Sequence, residues 1–165
     1  MIILLVGTTG VHHTLVAAHL YLKKNISAGE FAHLDGYCDL SLEGSGFPIA
    51  IGCDGYGNNV YTLGLGRLVE IGNRAINGFS QIMGFDSSQL LIRELRIPGD
   101  LDIWAASKAN WMPLGMGNAI NRLVADRVIS REFKRIKSEA LRLTEQVALL
   151  QGVSDNMTGL GFKAG

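Results

Sequence analysis

The first fourteen residues, MIILLVGTTGVHHT, constrain the fold of this chain more than any other segment. Residues 1–6 are an apolar run, which is typical of a fully buried parallel strand. Gly7 ends that run, and the stretch LVAAHLYLKK, which begins after Thr14, predicts a helix over residues 14–24. A strand, a glycine-containing turn and a helix in this order predict an α/β fold, with the loop at the carboxyl end of the strand.

The loop has the spacing of a phosphate-binding loop. Counted from Gly7, it matches GxxxxGK[ST] with Thr14 in the hydroxyl position, but His12 replaces the second glycine and His13 replaces the lysine. The first N–H groups of a helix lack partners and carry partial positive charge, so such a loop favours anions. The predicted ligand-binding residues in this P-loop-like segment are Gly7, Thr8, Thr9, Gly10, His12, His13 and Thr14.

The sequence does not identify a catalytic residue, and His13 is the candidate that the loop offers. The positive end of the helix dipole disfavours its charged form, whereas a bound phosphate would favour protonation. The alternative is an ordinary tight turn in which Thr14 lies near the helix cap.

The rest of the chain predicts a layered α/β fold with a mixed, mostly parallel sheet flanked by helices. PIAIGCD (48–54) and VYTLGLG (60–66) are strand-like, and the Gly-rich turn between them predicts a β-hairpin. Residues 67–83 have an amphipathic helical pattern, and LLIRELRI (90–97) is a further strand. We expect residues 1–151 to form a single domain and residues 152–165 to be a poorly ordered tail.

Three polar residues near the hairpin are predicted to complete the site. Asp54 follows an apolar strand, a position from which a carboxylate holds Mg²⁺ in nucleotide-binding folds. We therefore expect Asp54, a second catalytic candidate, to lie close to the 8–14 loop. The alternative is a turn aspartate that binds its own backbone. Tyr56 and Arg67 could clamp an anionic substrate.

The C-terminal segment has an apolar seam, with spacings of four and three, formed by Ile129, Phe133, Ile136, Ala140, Leu143, Val147 and Leu150. One interpretation is a helix that covers the sheet. The other is a helix that pairs with a second copy in a homodimer.

Composition excludes some functional classes. The chain has 15 basic and 15 acidic residues, and this balance argues against nucleic-acid binding. No apolar stretch approaches the ~20 residues of a membrane span, and no signal-peptide pattern is present. Cys38 and Cys53 form no CxxC motif, so we expect a reduced, cytoplasmic protein. No histidine or cysteine spacing matches a metal signature.

The two segments together resemble a family of small bacterial proteins known only as a domain of unknown function. Its members carry a Gly-Gly-Thr-His-Ser-Ser-like loop and an Asp-Glu-Tyr-Gly-Asn-x-Val-Tyr-x-Leu-Gly-like segment. The matching residues here are Thr9, Gly10, His12 or His13, and Thr14, then Asp54, Tyr56, Gly57, Asn58, Val60, Tyr61, Leu63 and Gly64. The resemblance covers roughly residues 1–140 and implies a common fold without implying an activity.

The sequence therefore supports three functional hypotheses. The first is binding of a phosphate-containing ligand, such as a nucleotide with Mg²⁺ or a phosphorylated metabolite, at the 8–14 loop. The second is a non-catalytic interaction protein that dimerises through its C-terminal helix. The third is a histidine-dependent hydrolase or metal-binding protein.

Overall fold

The computed structural model describes residues 1–23, 25–111 and 116–158. Four strands form one sheet: β1 (Ile2–Gly7), β2 (Ile49–Cys53), β3 (Asn59–Gly64) and β4 (Leu90–Glu94). Their order is β2-β3-β1-β4. β1 runs parallel to both β3 and β4, whereas β2 pairs antiparallel with β3. The predicted mixed, mostly parallel sheet flanked by helices is confirmed.

Five helices accompany the sheet in the described residues. They are α1 (His13–Lys23), α2 (Leu40–Gly44), α3 (Val69–Ile82), α4 (Asp100–Ser107) and α5 (Met116–Thr158). Short 3-10 turns occupy Phe31–His33, Gly66–Leu68 and Lys108–Trp111. α5 extends to Thr158, and residues 159–165 lie outside the described part. The single domain over residues 1–151 and the poorly ordered tail over residues 152–165 stay predictions.

α1 is the centre of the fold. Its residues from His13 to Tyr21 are buried, because it packs on β1, β2 and β3 on one side and on α5 on the other. Ile3 and Leu5 of β1 share one hydrophobic core with α1 and α5. A helix enclosed in this way has no solvated face, which is why the two histidines at its start are removed from water.

The apolar seam of α5 belongs to this core. Ile129, Ile136, Leu143 and Val147 are fully or almost fully buried, and Leu150 packs against the same cluster. The expectation that this helix covers the sheet is wrong in its partner, because α5 packs on α1, α4 and the 3-10 turn Lys108–Trp111. The expectation that the seam pairs with a second copy gains no support, because its side chains are buried within one chain.

Candidate functional site

The loop after β1 lies at the carboxyl ends of the two central strands, as predicted. Gly7 is paired with Gly64, so β1 and β3 end at the same level. The Leu65 N–H donates to the Gly7 carbonyl, and the Gly66 N–H donates to the Thr8 carbonyl. These bonds tie the β1–α1 loop to the turn that follows β3.

The loop is closed by packing instead of opening into a cavity. Thr8, Thr9, Val11 and Thr14 are buried. The Thr8 hydroxyl donates to the Asp100 carbonyl at 3.2 Å, and the Thr14 hydroxyl donates to the Thr9 carbonyl at 2.5 Å. The predicted open arrangement of this loop is therefore wrong for the structure described here.

A carboxylate covers the backbone donors of the loop. Glu43 Oε2 accepts the N–H of Gly10 at 2.7 Å and the N–H of Val11 at 3.1 Å. Burial raises the pKa of Glu43, although both hydrogen bonds and the charge of Lys108 act in the opposite direction. The loop thus holds a carboxyl group, which Glu43 supplies from α2, thirty-three positions after Gly10 in the chain.

Two glycines give the carboxylate its space. A Cβ atom at Gly10 would lie 3.0 Å from the Gly64 nitrogen and 3.3 Å from Glu43 Oε2. A Cβ atom at Gly64 would collide with Glu43 Oε1 and lie 2.8 Å from the Gly10 nitrogen. We refer to the Gly10 and Val11 N–H groups together with Gly64 as the anion cradle.

Two cationic side chains, Arg67 and Lys108, lie beside the anion cradle. The Arg67 guanidinium and the Lys108 ammonium each lie 5.8 Å from the centroid of the Trp104 ring. Trp104 in turn approaches the turn after β3, because a Cβ atom at Gly66 would lie 3.2 Å from its Nε1. Arg67 and Lys108 are exposed, so both charges are available to a ligand from solvent.

His12 and His13 point into the protein. His13 Nε2 lies 3.3 Å from the Leu95 carbonyl, and burial lowers its pKa to about 4. His12 Nε2 lies 3.1 Å from the Asn121 side-chain nitrogen, and burial lowers its pKa to about 3. Both rings are 0% exposed and neutral at physiological pH. The expected neutral state of His13 agrees with this environment, but the predicted contact with a bound phosphate has no geometric support here.

Asp54 lies at the opposite end of the sheet from the 8–14 loop. Cys53 pairs with Asn59, and Asn59 pairs with Ile2 at the start of β1. The prediction that Asp54 forms a wall of the same site is wrong, because β2 is antiparallel and the length of β1, about 17 Å at ~3.3 Å per residue, separates them.

The Asp54 carboxylate organises the hairpin turn. It accepts the N–H groups of Tyr56 and Asn58, the Asn58 amide and the Tyr21 hydroxyl. Burial raises the pKa of Asp54, but the Tyr21 and Asn58 donors outweigh it and hold the pKa below its usual range. The interpretation of a turn aspartate is confirmed. Exposed Tyr56 stands beside it at a pocket of about 270 Å³ that Thr144 also lines.

Neither a metal centre nor a membrane helix is found among the described residues. No group of three or more His, Cys, Asp and Glu side chains there could hold a metal ion. No helix in the same ranges has both the length and the apolar character needed to cross a bilayer.

The fold and the cradle define a small α/β protein whose β1–α1 loop carries an internal carboxylate. Residues 2–111 match the sequence model of the DUF3189 family, whose description is "Protein of unknown function", and the chain belongs to that family. The resemblance noted in the sequence is thereby confirmed. Neither the curated proteins nor the solved structures contain a match to the chain.

Sequence reasoning found the loop and missed most of its partners. Gly10 and Arg67 were predicted, whereas Glu43, Gly64, Trp104 and Lys108 were not assigned to the site. Gly64 ends the segment that resembles the family and lies three residues before Arg67, but neither signal connected it to the 8–14 loop. Glu43 comes from a Gly-rich loop region in which nothing local marks its partner.

Proposed function

We propose that the chain binds a small phosphate-containing ligand at the anion cradle. The observation that carries this proposal is the Glu43 carboxylate on the N–H groups of Gly10 and Val11. Carboxylate and phosphate oxygens are both charged acceptors, and backbone N–H groups at the start of a helix bind either of them. A loop that holds one anion through its backbone has the donor geometry for another.

The surroundings of the cradle favour an anionic ligand over a neutral one. Arg67 and Lys108 lie beside the same Trp104 ring and face solvent. Such cations raise the local concentration of an anion and accelerate its association. The absence of side chains at Gly10 and Gly64 leaves space beside the backbone that the Glu43 carboxylate fills, and a phosphate oxygen would approach the N–H groups in its place.

The other two hypotheses gain no comparable support. The seam required for dimerisation through α5 is used inside the chain. A histidine-dependent hydrolase needs an imidazole that can exchange protons with a substrate, and both loop histidines are buried against protein partners. The proposed role is therefore ligand binding by the backbone of the loop.

Titration of the ¹⁵N-labelled protein with inorganic phosphate, pyrophosphate, ATP and GTP tests the proposal. We expect the amide resonances of Gly10 and Val11 to shift most, because their N–H groups receive the anion. Arg67→Ala and Lys108→Ala should each weaken binding, and the matched control Arg74→Ala, at an exposed position on α3, should not. If Arg74→Ala weakens binding equally, or the two amides do not move with any anion, the proposed site is wrong.

A further inference from the structure

We infer that residues 39–47, which contain α2, form a lid whose Glu43 carboxylate occupies the anion cradle as an internal competitor of the ligand. This inference rests on the proposed function and adds its regulation: the lid must release Glu43 before an external phosphate group can bind. We refer to residues 39–47 as the α2 lid.

Competition follows from the donors themselves. Gly10 and Val11 offer one N–H group each, and Glu43 Oε2 takes both. A phosphate oxygen at the same two donors would occupy the position of that carboxylate oxygen. It would also carry the same sign of charge, so the two anions would repel each other at contact distance. Only one of them can be bound at a time.

The α2 lid is weakly attached to the rest of the molecule. α2 has five residues and is capped by the Asp39 side chain, which accepts the N–H groups of Ser41 and Leu42. A helix of this length has little stability of its own. None of its residues is fully buried, and Phe47 is 75% exposed. A cavity of about 110 Å³, lined by Leu15, Asp39, Leu42 and Ile49 among others, separates the lid from α1 and β2.

Gly46 gives the α2 lid freedom to move near its C-terminal end, where it has a φ of 71°. Glycine adopts positive φ values without the steric cost that other residues meet, and it changes conformation readily. The movable segment begins after Cys38, because Tyr37 is buried in the core and the Cys38 N–H donates to the Val11 carbonyl. Rotation of the chain between Cys38 and Gly46 would carry Glu43 away from the cradle while Tyr37, β2 and α1 keep their places.

The arrangement predicts that Glu43 lowers the affinity of the wild-type chain for anions. A protein whose binding-competent state is a minor fraction loses affinity by that fraction. Removal of the competing carboxylate should therefore strengthen binding of inorganic phosphate and pyrophosphate at least tenfold, which corresponds to about 1.4 kcal/mol. Gln keeps a neutral acceptor at the same length, so Glu43→Gln should give a smaller gain than Glu43→Ala.

The test measures affinity and lid exposure together. Wild type, Glu43→Ala, Glu43→Gln and the control Glu70→Gln, an equal charge change at an exposed position on α3, are titrated with inorganic phosphate and pyrophosphate by calorimetry. Hydrogen exchange of residues 39–47 is measured in the wild type with and without pyrophosphate. We expect tighter binding by both Glu43 variants, unchanged binding by Glu70→Gln, and faster exchange of the lid when pyrophosphate is bound.

The alternative outcomes separate the two proposals. If the anions shift the Gly10 and Val11 amides but bind wild type and the Glu43 variants with equal affinity, the lid is wrong and the anion site stands. Weaker binding by the variants would mean that Glu43 builds the site, which also overturns the lid. If no variant binds either anion at these amides, the proposed function itself is wrong. If Glu43→Ala fails to fold, the affinity of Glu43→Gln and the hydrogen exchange of the wild-type lid test the lid proposal.

Discussion

Asn121 of α5 lies 3.1 Å from His12, measured from its side-chain nitrogen to the imidazole Nε2, across 109 positions of the chain. His12 belongs to the segment that matches the family model, residues 2–111, whereas Asn121 lies beyond it. The C-terminal helix therefore supports the β1–α1 loop from outside the matched segment. The edge-on contact between the His12 and Tyr37 rings adds a second support for the imidazole.

Replacement of Asn121 by Ala should destabilise the protein by about 1–3 kcal/mol, because it leaves a buried imidazole nitrogen without a partner. Asn121 is almost fully buried, so the His12 nitrogen is shielded from bulk water. Urea unfolding measures the change. Asn118→Ala, at an exposed position of the same helix, is the control and should change stability by less than about 0.5 kcal/mol. Equal stability of both variants would contradict a supporting role for this hydrogen bond.

Mild acid should destabilise the protein through His12 and His13. Burial lowers their pKa values to about 3 and about 4 in the folded chain. The unfolded chain takes up protons below its reference pKa of about 6.5, and the folded chain does not. Stability is therefore lost as the pH falls from about 6.5 toward 4, by about 2 kcal/mol for each histidine between pH 7 and pH 5.

The His13→Gln variant separates this effect from other titrations. The Gln side-chain amide can still donate to the Leu95 carbonyl, but it binds no proton in this range. We expect a smaller difference in the free energy of unfolding between pH 7 and pH 5 than in the wild type. His33→Gln, at an exposed position, should leave the difference unchanged. An unchanged difference in His13→Gln would show that His13 is not buried as a neutral group.

The sequence predicted where the loop lies in the sheet but not which way its histidine side chains point. The order of strand, Gly7 and helix is local, and it placed the loop correctly at the end of a central strand. The orientation of His12 and His13 depends on α5 and on the segment after β4, which contribute Asn121 and the Leu95 carbonyl. No local pattern contains that information, and so the histidines were assigned to a ligand that they do not face.

The misplacement of Asp54 has a different cause. The Gly-rich turn after Asp54 correctly predicted an antiparallel hairpin. In an antiparallel hairpin, the end of the first strand lies beside the start of the second, so Asp54 lies beside the start of β3. Because β3 is parallel to β1, this is the end of the sheet opposite the 8–14 loop. The rule that ligands bind at the carboxyl ends of parallel strands was applied to a strand that runs the other way.

The amphipathic pattern of α3 predicted a helix but not the direction of its apolar side. Phe79 is 62% exposed and Ile82 is 84% exposed, whereas Ser80 is buried and Asn73 donates to Glu94. Periodicity measures the separation of apolar and polar side chains around a helix, and it does not say which side contacts the sheet. In this chain the side that carries Val69, Asn73 and Ser80 faces inward, and the side that carries Phe79 and Ile82 is exposed.

Gly7 should not tolerate a side chain, because a Cβ atom there would lie 2.6 Å from Thr14 Cγ2 and 2.7 Å from His13 Nε2. We expect Gly7→Ala to lower the free energy of unfolding by about 1–3 kcal/mol through overpacking. Gly29→Ala is the control, since nothing lies within 4 Å of a Cβ atom at that position. Thermal unfolding of both variants measures the difference. A Gly7→Ala protein as stable as Gly29→Ala would contradict the close packing of the loop on β1.

Two substitutions on α5 test whether its apolar seam is part of the core of a single chain. Ile136 is 0% exposed and lies in the core with α1, whereas Leu149, on the same helix, is 72% exposed. Ile136→Asp buries an unpaired charge and should unfold the chain, because an isolated carboxylate in an apolar core costs several kcal/mol, comparable with the total stability of about 5–15 kcal/mol. Leu149→Asp introduces the same charge at the surface and should leave the fold intact. Circular dichroism and size-exclusion chromatography distinguish the outcomes: a folded, monomeric Ile136→Asp protein would mean that the seam is a contact between copies and not part of the core.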